Sequence, residues 1–381
     1  MRQDAMPITC WKGLEKPGMI KSSGQAAVLL RAEHELVDDI LYLELSGFCL
    51  GIRSNSASFI RKLAKYFDHV VVDSCTADIV IEAYDTDVLD LDVNWQDWAR
   101  EPGKSGKKDA YHELDDGRLL LKVRTGMVFL QSFQARIAAG PCSKLDNQVI
   151  NFINSQYMNW LQQHDWLICH ASGLDIAGKG VGLAGLSGGG KSTLMLGLMG
   201  QPDVRYVTND RLFIKRREDQ VKARGIPKLP RINPGTIVHN PALHGLIDAA
   251  RRKSLLALPQ QELWHLEEKY DVMINEVYGE ERIEEEMLLQ SFLVLNWSHD
   301  SKQATRLDEV DLVSREDLLP AIMKSPGPFM QFADGSMYKD SDPLDSQTYM
   351  DTLRGVTVLE ASGRVDIPLL QKKLYQWLSD S

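Results

Sequence analysis

The sequence predicts an α/β chain in which a small N-terminal α+β domain precedes a larger phosphate-loop domain. Three observations carry that expectation. Between residues 24 and 140, short apolar runs bounded by turn residues outnumber helical stretches. After residue 145, strand-like and helix-like segments alternate. Within that second region, Gly185-Leu186-Ser187-Gly188-Gly189-Gly190-Lys191-Ser192 fits the G-x-x-x-x-G-K-[ST] pattern known as Walker A.

Residues 1–23 mix Pro, Gly, Lys and Ser without periodicity and are expected to form a flexible arm. A short helix is expected over 25–36. The runs 40–45 and 48–52 read as strands joined by a tight Ser46-Gly47 turn. Phe59, Ile60, Leu63 and Phe67 recur at helical spacing, with Ser54 or Asn55 as the cap. The runs 70–72 and 77–81 read as strands, and the polar stretch 85–117 as a long excursion. A second hairpin is expected over 119–123 and 127–131. This first domain, 24–140, offers no catalytic constellation. A boundary at 141–147 leads into a helix over 147–164 with Val149, Phe152, Ile153, Tyr157, Trp160 and Leu161 on one side. In the second domain, 145–381, strands are expected at 181–184, 205–208, 211–215, 289–296 and 356–360, and an amphipathic helix closes the chain over 366–378.

A chain of 381 residues with 44% hydrophobic and 25% charged residues is ordinary globular material. Its net charge of −10 argues against binding nucleic acid or a membrane through the whole surface. No run approaches the ~18 apolar residues of a membrane span, and the N-terminus lacks a signal-peptide design. The 5 cysteines are scattered, without a C-x-x-C pair, which fits a reducing cytoplasm better than a disulfide framework or a zinc site. The expected location is therefore cytoplasmic.

The loop carries the clearest chemistry. Gly185, Ser187, Gly188, Gly189 and Gly190 turn backbone N–H groups inward as an anion-binding nest. Lys191 reaches the outer phosphates, and the Ser192 hydroxyl can ligate Mg²⁺, with Thr193 beside it on the cofactor-binding helix start. The helix beginning at Lys191, carrying Leu194, Met195, Leu198 and Met199, adds its own unpaired N–H groups. A bare loop only binds; transfer also needs a metal holder and a group that positions the acceptor. Asp210, at the end of a strand beside the loop, can hold Mg²⁺ or accept the acceptor's proton, although Asn209-Asp210 is also ordinary turn chemistry. His170, on the apolar run 166–169, reads by itself as a core residue. Arg224 and Arg231 lie in a zone with a surplus of Lys and Arg, suited to clamping phosphoryl oxygens or simply to a solvated face. His239 and His244 lack the HExxH arrangement of a metalloprotease.

The stretch from His170 through Gly178-Lys179-Gly180 to Ser192 resembles the HPr kinase/phosphorylase family, and the chain is more closely similar to the group called HPr kinase-related proteins. That resemblance implies a kinase domain akin to phosphoenolpyruvate carboxykinase and a histidine, here His170, near the transferred phosphate. The family's Ala-Asp-Asp-Arg stretch corresponds to Thr208-Asn209-Asp210-Arg211, and its Glu-x-Arg-Gly signature to Lys222-Ala223-Arg224-Gly225. Asn209 and Lys222 each replace an acid. An amide cannot act as a base, though Asn209 can ligate a metal.

The expected activity is ATP- and Mg²⁺-dependent phosphorylation of a hydroxyl, on a protein serine or a small molecule. Catalytic candidates are Asp210, His170, Lys191 and Arg224, and metal candidates are Ser192, Asp210 and Asn209. Expected partners are the nucleotide and an unidentified phosphoacceptor, with a homo-oligomer left open. The alternatives are a nucleotide-binding sensor that transfers nothing, and an ATPase; the latter lacks an N-K-x-D motif or an acidic pair after a long apolar run.

Overall fold

The computed structural model describes residues 20–99, 106–185 and 189–380. The expected arm falls almost wholly outside them. The chain forms two large mixed sheets with helices against them.

The helix α1 (Ser23–Arg31) starts earlier than expected, because Ser22 forms a capping box with Gln25. Strands β1 (Leu41–Leu45) and β2 (Phe48–Ser54) make the first hairpin. Its turn residues Ser46 and Gly47 both have positive φ (50° and 83°), the turn geometry that matches strand twist. Helix α2 (Ala57–Tyr66) is capped by Ser56, whose hydroxyl accepts from the Phe59 N–H at 3.3 Å, rather than by Ser54 or Asn55. Then come β3 (Val71–Val72), β4 (Ile79–Asp85), β5 (Gln96–Asp97), β6 (Asp109–Leu114), β7 (Gly117–Lys122), β8 (Val128–Ser132) and β9 (Arg136–Gly140). The first sheet has the order β3-β1-β2-β4-β9-β8-β7-β6-β5.

The polar excursion thus contains a full strand, β6, paired to β7 from Asp109↔Lys122 to Leu114↔Gly117. Its polarity hid it: His112 is buried, with ring nitrogens 3.0 Å from the Ile20 carbonyl and 3.2 Å from that of Asn94. Cys49 and Cys75 form a disulfide, which corrects the expectation of an unbridged chain. The 73–78 loop crosses β2, held where the Asp78 carboxylate accepts from the Cys49 N–H at 2.7 Å, so residues 26 apart in sequence meet. Cys142 and Cys169 are free and buried.

Helix α3 (Asp146–Gln163) runs from the first sheet to the second. One buried core joins Leu43, Leu50 and Phe129 of the first sheet, Phe152 and Leu161 of α3, and Phe213 and Ile226 of the second part. Two buried polar side chains on α3 find partners: the Gln156 amide donates to Gln131 Oε1 at 2.7 Å, and the Asn159 amide to the Phe329 carbonyl at 2.8 Å. A second tie is Arg118, 0% exposed, which donates to the carbonyls of Pro328 and Tyr338 (2.9 Å each) and pairs with Glu113. Its guanidinium also lies over the Trp98 and Tyr111 rings. Arg118→Ala strands these carbonyls and Glu113. The expected result is a loss of about 3–5 kcal/mol in folding free energy, with faster amide exchange over 324–338. Denaturant melts and hydrogen exchange measure both.

The second part contributes β10 (Leu167–Cys169), β11 (Ala171–Ile176), β12 (Lys179–Gly185), helix α4 (Lys191–Leu198), β13 (Val204–Thr208), β14 (Leu212–Arg217), β15 (Gln220–Arg224), β16 (Arg231–Ile232), β17 (Tyr270–Asp271), β18 (Glu286–Leu295), β19 (Arg306–Val310) and β20 (Thr357–Ser362). The sheet order is β10-β14-β15-β18-β12-β11-β13, with β20 on the later half of β18 and β19 beyond it. Strands β12, β18 and β20 are parallel, and at one edge β11 runs antiparallel between β12 and β13, so that β13 points the same way as β12. β18 lies close enough to β12 that a side chain at Gly180 would collide with the Leu288 carbonyl. The helix Ile367–Asp380 closes the chain and buries Leu370, Leu374 and Leu378 in the core shared with α4. Among the described residues, no helix is long and apolar enough to cross a membrane.

Candidate active site

The parallel strand β12 delivers the chain to the loop, and its residues Val181, Leu183 and Ala184 are fully buried. The loop re-enters the described structure at Gly189; Ser187 and Gly188 lie outside it. Gly190 has φ +86°, so glycine is required where the loop turns into α4. The Trp297 indole N–H donates to the Gly189 carbonyl at 2.9 Å and fixes this end of the loop.

Lys191, the first residue of α4, folds back over the loop. Its ammonium donates to the Gly185 carbonyl at 2.8 Å and lies 3.2 Å from His170 Nε2. His170 sits between β10 and β11, its backbone N–H donating to the Ile322 carbonyl at 2.7 Å. The same Nε2 is 3.3 Å from Asp210 Oδ1. A single nitrogen cannot accept from Lys191 and donate to Asp210 together. Asp210 Oδ2 faces Arg211 (3.7 Å) and Lys324 (3.9 Å).

The Asp210 side chain is 39% exposed where it opens onto a cleft, while protein packs around the rest of it. Burial raises the tendency of its carboxyl to hold a proton. The His170 hydrogen bond and the charges of Lys324 and Arg211 outweigh that, holding Asp210 far below the usual carboxylate range. It is an anion at any working pH.

On the other side of α4's first turn, the Ser192 hydroxyl donates to Asn209 Oδ1 at 2.9 Å. The Asn209 carbonyl in turn accepts from the buried Ser172 hydroxyl. Thr193 is hydrogen-bonded through its hydroxyl to Thr236 at 3.0 Å, tying α4 to the short helix Pro234–Val238. Ser192 and Asn209 therefore form an oxygen pair beside the loop, suited to a hard cation that takes its remaining ligands from phosphates and water. Among the described residues, no three His, Cys, Asp or Glu cluster to hold a metal by themselves.

Arg224, expected to clamp the transferred phosphoryl group, makes its contacts with Glu286 and Trp166 rather than with His170, Lys191 or Asp210. Its guanidinium donates to Glu286 Oε2 at 2.6 Å and lies 4.7 Å from the centre of the Trp166 ring. Lys222 takes the other Glu286 oxygen at 2.6 Å. Lys222 and Arg224 share a face of β15 because side chains alternate along a strand, and Glu286 stands opposite Arg224 on β18. Gly225 follows, where a side chain would strike the Val207 carbonyl. This close approach sends 226–231 under β13 and shapes the cleft beside Asp210. Sequence reasoning passed over Lys324 and Lys228 as site residues. Lys228 lay within the basic zone already noted, whereas Lys324 belongs to no local motif.

No protein-family model matches the chain, and no curated protein matches it. Among solved structures, the HPr(Ser) kinase/phosphatase from Coxiella burnetii is similar over 56% of this chain and 91% of that one, with 11% sequence identity and a TM-score of 0.28.

Proposed function

We propose that the chain is an ATP- and Mg²⁺-dependent phosphotransferase acting on a hydroxyl, with the site between α4 and the end of β13. The observation that carries this reading is the meeting of Lys191 and Asp210 at His170 Nε2, at 3.2 and 3.3 Å, with the Lys191 ammonium also on the Gly185 carbonyl. A nucleotide-binding loop needs its lysine and its hydroxyl; it has no need of a histidine and a permanently ionised carboxylate aimed at the same point. In this reading the loop cradles the nucleotide phosphates, and Ser192 with Asn209 holds Mg²⁺, which would neutralise charge on the phosphates. Lys191 stabilises charge on the departing side. Asp210 orients the acceptor hydroxyl. The acceptor oxygen forms a bond to the γ-phosphorus, the bond from that phosphorus to the bridging oxygen breaks, and ADP leaves with the electron pair. The hydroxyl proton passes to the His170–Asp210 pair.

Incubation with γ-labelled ATP and Mg²⁺ tests this. Label on a protein or metabolite supports the phosphotransferase. Tight nucleotide binding without transfer supports a sensor instead, and label released only as inorganic phosphate supports an ATPase.

Lys228 supplies a further prediction. Burial first, and then the Arg211 guanidinium, push its ammonium down to about 8 against the opposing pull of Asp210. Below that pH both folded and unfolded chains carry the charge, and folding bears the full cost of burying it. Above it the folded chain loses its proton first, so stability rises with pH up to the ordinary lysine value of 10.5. Lys228→Met is therefore expected to raise the melting temperature at pH 7 (near neutrality both states are charged), with the gain shrinking as the pH is raised. Thermal melts across a pH series check it.

A further inference from the structure

A cleft of about 230 Å³ opens beside Asp210, lined by Asp210, Arg211, Lys228 and Arg231 over apolar Ile226 and Leu229. None of the described loop residues lines it. Asn209, which accepts from the Ser192 hydroxyl, and Asp210, which faces His170, both line it.

We propose that this cleft binds the anionic end of the phosphoacceptor, and that the acceptor is a small hydroxyl compound bearing a phosphate monoester. The proposal rests on the phosphotransferase reading and names its substrate class.

Charge argues first. Arg211, Lys228 and Arg231, with Lys324 beside Asp210, face the carboxylates of Asp210 and of Asp271, which pairs with Arg231 at 2.9 Å. That is a surplus of positive charge in a chain whose net charge is −10. A dianion such as a phosphate monoester is its complement, and the guanidinium fork matches phosphate oxygens.

Lys228 argues second. The charged groups acting on it are Arg211, Asp210, Arg231 and Lys324, so cations outnumber anions around it. Its backbone is pinned by its own N–H to the Ile226 carbonyl (2.6 Å) and by the Tyr206 hydroxyl donating to its carbonyl (2.7 Å). Tyr206 is itself buried. The fold thus fixes an ammonium among other cations at a cost in stability, which packing alone gives no reason to retain. An anion seated between Lys228 and Arg211 removes that cost.

Size argues third. The cleft is smaller than the roughly 300–1,000 Å³ of sites for drug-sized ligands, which suits a short phosphorylated alcohol. With its phosphate between Lys228 and Arg211, such a molecule can present its hydroxyl to Asp210, which lines the same cleft.

The test is calorimetric binding of sn-glycerol 3-phosphate, ribose 5-phosphate and glucose 6-phosphate to the full chain carrying Mg²⁺ and ADP, with glycerol as the uncharged control. At least one phosphomonoester is expected to bind where glycerol does not. Lys228→Gln and Arg211→Gln should each weaken that binding roughly ten- to hundredfold while ADP affinity stays unchanged. Lys228→Gln removes a destabilising charge, so misfolding does not obscure its result. Unaltered phosphomonoester affinity in both variants overturns the proposal. So does a panel that fails to bind while Lys228→Gln labels a seryl peptide at the wild-type rate. Phosphomonoester binding without any transfer from ATP supports the cleft and overturns the phosphotransferase reading instead.

Discussion

Lys191→Ala is expected to lower the rate of phosphoryl transfer by roughly 10²–10³-fold, the loss typical of removing one preorganised charge partner of a transition state. The reason lies in where the ammonium is held. It is anchored to the Gly185 carbonyl at 2.8 Å and to His170 at 3.2 Å, at the N-terminus of α4, before any substrate arrives. Little reorganisation is needed when charge develops on the departing phosphate oxygens. Most of the loss should therefore fall in kcat, with a smaller change in KM. A rise in KM alone would mean that Lys191 binds ground state and transition state equally. Steady-state kinetics with each substrate varied in turn separate these outcomes.

Asp210→Asn is expected to have a comparable effect, on the order of 10²–10⁴-fold in kcat, as for loss of a positioned acid–base group. The amide keeps the shape but lacks the negative charge that orients the acceptor hydroxyl and the His170 ring, and it leaves Lys324 and Arg211 without the carboxylate that faces them at 3.9 and 3.7 Å. Stability should change as well, with a definite sign. The folded pKa of Asp210 is depressed, so its contribution is fully present above the ordinary value of 3.8 and is lost only as the pH falls toward the folded value. Asp210→Asn should melt lower than wild type at neutral pH, and the difference should close in strong acid. A gap that persists unchanged into acid would assign the loss to packing rather than charge.

The strand and helix on either side of the glycine-rich stretch were legible because their signals are local: an apolar run, a glycine where the backbone turns at Gly190, and a helix face at regular spacing. The first hairpin was legible for the same reason, since Ser46-Gly47 encodes its own turn. β6 was not, because its buried His112 is satisfied by the carbonyls of Ile20 and Asn94 and its buried Asp109 by Lys122, which no local pattern reveals. β15 was hidden similarly: two of its cations are neutralised by Glu286 from another strand. The pairing of Arg224 with Glu286 was not legible because a motif gives a residue's position in the chain but not the face onto which it projects. His170 stood out only through the family resemblance, since one histidine on an apolar run carries no signal of its own. Lys324 reaches Asp210 because the chain passes His170 at Ile322 and is then held against the first sheet by Arg118. That chain of contacts exists only in three dimensions, and it links the N-terminal sheet to the cleft.

The most direct test of the central claim is transfer from γ-labelled ATP in an extract of the source cells, comparing wild type with Asp210→Asn. One labelled species that appears with wild type and is lost with Asp210→Asn, while both proteins bind ATP, is the predicted result. The same species labelled at the same rate by both proteins would contradict it.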